Sequence, residues 1–131
     1  MEQRGDVRGR GNQRNVVSNG RPLAIEIPMD DTLQELQRWY AKHCDGEWEH
    51  QYGIKITTCD NPGWWMKIDL MGTDLNTRLY KPIADNVDAS GFPQGDRWMH
   101  CFIKDDVWEG AGDETKLLII IKMFLAWAAT Q

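Results

Sequence analysis

The chain has 131 residues, room for one domain of the common ~100–150-residue size. Its 41% apolar content is globular, and 15 Lys+Arg against 20 Asp+Glu leave a net charge of −5, which argues against a protein built chiefly to grip phosphate backbones. The longest apolar run, 117–129, is interrupted by Lys122 and falls short of the ~20 residues that a spanning helix needs, so a membrane-spanning chain is not expected.

The charge divides unevenly. Residues 1–28 hold five arginines and three acids, a local +2, whereas 29–131 hold ten basic and 17 acidic residues, or −7. The first part is rich in Gly, Arg, Asn and Gln and has no periodic apolar pattern before Leu23, so it reads as a disordered basic tail. An arginine–glycine arm for nucleic acid is one alternative for it; upstream sequence preceding a true start at Met29 is another. Residues 29–131 then form a single α+β domain. The polar N-terminus offers no signal-peptide core, and Cys44, Cys59 and Cys101 are too few and too widely spaced for a disulfide framework. Both features point to the cytoplasm, with the cysteines as buried thiols.

Asp31-Thr32-Leu33-Gln34-Glu35 predicts a helix start, with Thr32 as cap and Glu35 completing a capping box. Leu33, Leu36, Trp39 and Tyr40 recur at helical spacing to about His43, and Gly46 supplies the reversal. From Trp48 the pattern turns to period two, with Tyr52, Ile54, Ile56 and Thr58 on one face. Asp60-Asn61-Pro62-Gly63 is a turn, and Trp64, Met66, Ile68 and Leu70 alternate beyond it, which predicts a β-hairpin. Residues 75–81 suit a short third strand and 82–96 a surface loop. Residues 97–104 read as a central strand with Trp98, His100 and Phe102 opposite Met99, Cys101 and Ile103. Asp105-Asp106 turns the chain into a short strand, 107–109. Gly110-Ala111-Gly112 then leads to a final helix capped by Asp113, whose wide apolar stripe suits covering a sheet. The expected fold is α+β: an antiparallel sheet of four to five strands, flanked by an N-terminal and a C-terminal helix packed on one face.

Few constellations carry chemistry. Glu49 and His50, near Glu47 and Trp48, are a conceivable acid/base pair for a small hydrolase, although no nucleophile or metal motif lies nearby. The His and Cys residues lack zinc-ligand spacing, and His100 and Cys101 point to opposite strand faces, so neither a metal nor a cofactor is expected. Adjacent Trp64 and Trp65 must face opposite sides of a strand. An exposed Trp rimmed by acids suits a protein interface, or a platform for stacking a sugar.

The run Trp39-Tyr40-x₃-Cys44-Asp45-Gly46-x-Trp48-Glu49-His50-x-Tyr52-Gly53, followed by Asp60-Asn61-Pro62-Gly63-Trp64 and Ile68-Asp69-Leu70-x-Gly72-Thr73, resembles the immunity protein 53 family of bacterial polymorphic toxin systems. Trp98-x₂-Cys101 and Glu109-Gly110-Ala111-Gly112 before a Leu-rich helix ending at Trp127 are similar too. The resemblance spans about 30–129, departs from the family pattern at Cys59 and in the loop 82–96, and implies a non-catalytic protein that neutralises a cognate toxin by binding it. An acidic body suits a basic target such as a nuclease. The expected toxin-binding surface comprises Asp45, Glu47, Glu49, Trp65, Asp105, Asp106 and Glu109. The alternatives are a carbohydrate or small-ligand module using the tryptophans, and the hydrolase using Glu49 and His50.

Overall fold

The computed structural model describes residues 30–130, so the expectations for the tail at 1–28 and for Met29 lie outside the described residues. Helix α1 (Thr32–His43) buries Leu36 and Trp39 and turns Leu33 and Tyr40 outward. The expected capping box does not form. Asp31 occupies the cap position, its carbonyl accepting the Glu35 amide at 2.9 Å, and Thr32 is buried in the first turn.

The period-two reading from Trp48 is overturned: Trp48–Gln51 is a single helical turn, α2. Its cause is a reciprocal set of side-chain caps. The amides of Glu47 and Trp48 donate to Asp45 Oδ1 at 2.9 and 3.0 Å, while Glu49 reaches back to accept from the amides of Asp45 and Gly46 at 2.9 and 2.8 Å. Gly46, at φ +93°, makes the reversal possible. Trp48 is thereby buried, its indole N–H donating to the Met71 carbonyl at 2.8 Å.

Strands β1 (Ile54–Cys59) and β2 (Gly63–Asp69) form the expected hairpin. The segment 75–81 is not a strand. Leu75 is a fully buried plug, and Arg78 is drawn to the carbonyls of Trp127, Ala128 and Thr130. A short β3 (Ile83–Asp85) lies instead within the segment expected to be loop. Strand β4 (Met99–Lys104) turns through Asp105 and Asp106, both at positive φ as two-residue hairpins favour, into β5 (Val107–Asp113).

Strand β5 runs through Gly110-Ala111-Gly112 rather than ending before them, and it is the centre of the sheet, whose antiparallel order is β1-β2-β5-β4-β3. The final helix, α3 (Leu117–Ala128), has Lys116 at its cap position. Asp113 therefore does not cap the helix; it locks the corner before it, accepting from the Trp98 and Thr115 amides and from Lys116 Nζ at 2.7 Å. Burial opposes its charge, but the Lys116 ammonium and the donors of Thr115 and Trp98 prevail and hold the carboxyl well below the usual range.

Both long helices lie on one face of the sheet, an α+β arrangement: α3 rests on β5 and β2, and α1 packs against α3. Phe124 is the hub, with ring centroids 5.0 Å from Trp39 and 5.3 Å from Trp108. Each such ring, fully buried, contributes roughly 1.5–3 kcal/mol. Gly110 sits beneath this layer, where a Cβ would come within 2.5 Å of Ile120 and 2.7 Å of Trp108. Of the three cysteines, all free, only Cys101 is in the core; Cys44 and Cys59 are half-buried.

Two outcomes follow for stability. Gly110→Ala overpacks the α3–β5 contact and lowers unfolding free energy by about 2–3 kcal/mol in urea titrations. Burial pushes the Cys101 thiol up to about 11 and, beside it, the Tyr80 phenol up to about 12. The unfolded thiol ionises near its ordinary ~8.5. The native state therefore holds the proton that the unfolded state releases, and stability falls as pH rises from there toward 11. The slope for this group is at most ~1.4 kcal/mol per pH unit. Denaturant curves at about pH 8 and about pH 10 should show a smaller drop for Cys101→Ala than for the native chain.

Candidate functional site

The helices cover one sheet face and leave the other open. Strand alternation and register place two cross-strand rows on the open face: His100, Ala111, Trp65 and Thr57 in one, Phe102, Glu109, Lys67 and Lys55 in the next. Trp65 is 38% exposed. Its indole N–H donates to Glu109 Oε1 at 2.9 Å, and the Lys67 ammonium stands 5.1 Å from its ring centroid. The rings of His100 and Phe102 lie 4.6 Å apart.

The loop after β3 folds beside this face. Asp88 orders it by accepting from the amides of Ser90 and Phe92 at 2.8 and 3.0 Å, and the Asn86 side chain donates to the Arg97 carbonyl at 2.8 Å. Gly91, at φ +88°, passes so close to His100 that a Cβ would lie 3.1 Å from the imidazole. Phe92 is thereby presented to solvent, 67% exposed. Loop and sheet enclose a groove of about 290 Å³ lined by Trp65, Phe92, Trp98, His100, Phe102 and Ala111, among others.

The seven residues expected from sequence fall into two groups. Trp65 and Glu109 are bonded to each other on the open face, and Glu109 is nearly buried there. Asp45, Glu47 and Glu49 surround the α1–α2 connection, and Asp105 and Asp106 form the β4–β5 tip. These five share one end of the sheet. The Leu70 amide donates to the Asp106 carbonyl, and the next residue, Met71, accepts from Trp48. Within this end, the Trp48 and Glu47 amides lower the Asp45 pKa. That of Glu49 is lowered by backbone amides, its own foremost, with those of Asp45 and Gly46 and the nearby His50 adding to it. The carboxylates of Glu47, Asp105 and Asp106 are exposed, with no hydrogen bond or ion pair among the described residues.

A larger cleft, about 600 Å³, lies between α1, α2 and the edge strand β1, and Glu49, His50, Tyr52, Lys55 and Asp69 are among its lining residues. Its carboxylates are engaged structurally: Glu49 by two backbone amides, Asp69 by that of Gly53 at 2.9 Å. The amides on Glu49 favour its ionised form, which is poorly suited to donate a proton in catalysis. His100 faces the groove while Cys101 faces the core, and among the described residues no three His, Cys, Asp or Glu side chains are placed to hold one metal ion. Among the described residues no helix is long and apolar enough to cross a membrane.

Phe92, Lys67, Lys104 and the His100–Phe102 pair were not among the candidates. The parity of 97–104 already set His100 and Phe102 on one face, and Phe92 stands out as an aromatic in a polar loop. What was missing was which sheet face the helices leave bare.

The family model of immunity protein 53 matches residues 33–129. The chain belongs to the immunity protein 53 family. No curated protein and no solved structure matches it.

The indole–carboxylate pair on the open face has a measurable consequence. Glu109→Ala leaves Trp65 Nε1 without its acceptor and lowers stability by about 1 kcal/mol, whereas Glu109→Gln retains an acceptor and costs less than half of that. Chemical denaturation followed by tryptophan fluorescence checks both.

Proposed function

We propose that this chain is a cytoplasmic immunity protein that binds a cognate toxin domain stoichiometrically and occludes its active cleft, with no catalysis of its own. Family membership over residues 33–129 is the observation that carries this reading. Residues 29–131, with a charge of −7, are the working unit, and that charge would speed encounter with a basic toxin such as a nuclease. The proposed contact residues are Asp45, Glu47, Glu49, Trp65, Asp105, Asp106 and Glu109. Glu47, Asp105 and Asp106 present free carboxylates, while Asp45, Glu49 and Glu109 shape the surface through their internal bonds.

The exposed Trp65 beside a groove also favours a second reading, a carbohydrate module in which the indole stacks on a sugar ring. A glycan panel that quenches or shifts tryptophan fluorescence would support it.

Co-expression with the toxin domain encoded in the neighbouring reading frame tests the leading reading. Growth should be restored and the two chains should co-purify, and His50→Ala, which removes the imidazole an acid/base pair with Glu49 requires, should protect as well as the native chain. Loss of protection in this variant with binding intact would return the hydrolase reading; failure to rescue or co-purify would remove immunity.

A further inference from the structure

The open sheet face does not share the acidic character of the chain. Its acids are internally engaged: Asp69 accepts from the Gly53 amide, Glu109 from Trp65, and Asp113 pairs with Lys116. Its cations lack carboxylate partners, Lys67 meeting only the face of the Trp65 ring. Lys55, Lys67 and Lys104 are exposed and form no ion pair among the described residues. Lys55 and Lys67 are direct cross-strand partners, an arrangement of like charges that costs stability in the isolated sheet. Beside these cations lies the 290 Å³ groove, with Phe92 held outward on its rim by the Asp88 bonds. The free charge on this face is therefore positive and borders a preformed apolar slot, on a chain whose net charge is −5.

We propose that this face docks an acidic segment of the cognate toxin, one that seats an apolar side chain in the groove between Trp65, Phe92 and Phe102 and sets its carboxylates against Lys55, Lys67 and Lys104. The inference rests on the immunity reading and gives the partner's contact a chemistry opposite to that of the acidic sheet end. Toxin recognition is then two-sided: the free acids of the sheet end meet basic toxin surface, and the groove with the lysines of the neighbouring row meets an acidic, apolar segment. An acidic protein segment fits better than a nucleic acid, because the body that carries this face is itself strongly acidic and would repel a long phosphate backbone.

Calorimetric titration with the neighbouring toxin domain, its active site inactivated, tests this on the full chain, with thermal melts confirming that each variant folds. Lys104→Glu and Phe92→Ser alter exposed side chains, so both should fold; Lys67→Glu is the stronger perturbation. Each should weaken binding by roughly fivefold or more, and the charge reversals should lose their effect at high salt. If the native chain binds and all three variants bind within roughly twofold of it, this docking face is wrong and the immunity reading stands. A native chain that does not bind the toxin removes both. Binding of single-stranded oligothymidylate that Lys67→Glu and Phe92→Ser abolish would overturn the proposal and assign the face to nucleic acid.

Discussion

The approach of α3 to the central strand is the contact on which the rest of the molecule depends. Two side-chain-free positions in β5 make it possible. At Gly110 a Cβ would collide with Ile120 and Trp108, and at Gly112 with Lys116 at 2.7 Å. With the helix this close, Phe124 reaches Trp108 beneath it and Trp39 of α1 beside it, so one ring joins sheet and both helices. Interiors packed at this density resist changes of even one methylene. Asp113 holds the same junction from its end, tying Trp98, Thr115 and Lys116 to the corner where strand becomes helix.

Placing both helices on one face leaves the other covered only in part, by the loop after β3, and this is where structure passes into function. Trp65 and an ordered Phe92 expose apolar surface here, on either side of the groove that Phe102 helps to line. The polar groups around it are sorted: carboxylates turn inward to indole and amide donors, lysines turn outward. The opposite sorting holds at the sheet end, where Glu47, Asp105 and Asp106 are free. A binding protein with two surfaces of opposite character can select its partner by charge at both, since a partner matched at one surface and mismatched at the other is rejected.

The cleft between α1, α2 and β1 shows how much the bonds of a residue add to its type. Glu49 and His50 beside Tyr52 have the composition of an acid/base site. Yet Glu49 is the return half of a cap that holds the Asp45–Gly46 backbone, and it is the same cap that converts Trp48–Gln51 from expected strand to helical turn. One set of local hydrogen bonds thus replaces the expected strand at 48–51 with a helical turn and gives Glu49 a structural role.

The sequence by itself determined the α+β class, the hairpin around Asp60–Gly63, the turn at Asp105-Asp106, the reversal at Gly46, the apolar face of the last helix and the family. These rest on short-range periods, turn chemistry and motif order, all of which are written in consecutive residues. It misplaced β3, the strand expected over 75–81 and the extent of β5. In each case a distant partner overrides the local pattern: Arg78 is drawn to the end of α3, Ile83–Asp85 pairs with β4, and Gly110–Gly112 remain strand because α3 must pass over them. Of the candidate site, Trp65 was legible as the member of the Trp64–Trp65 pair facing away from the core-facing row, and the acidic turns were legible as exposed. Only the tertiary structure decided which sheet face the helices leave open, that Glu109 is bonded to Trp65 while three lysines have no ion pair among the described residues, and that Phe92 borders a groove. Those facts depend on which residues face each other across strands and which side the helices occupy, and neither is encoded in local sequence spacing.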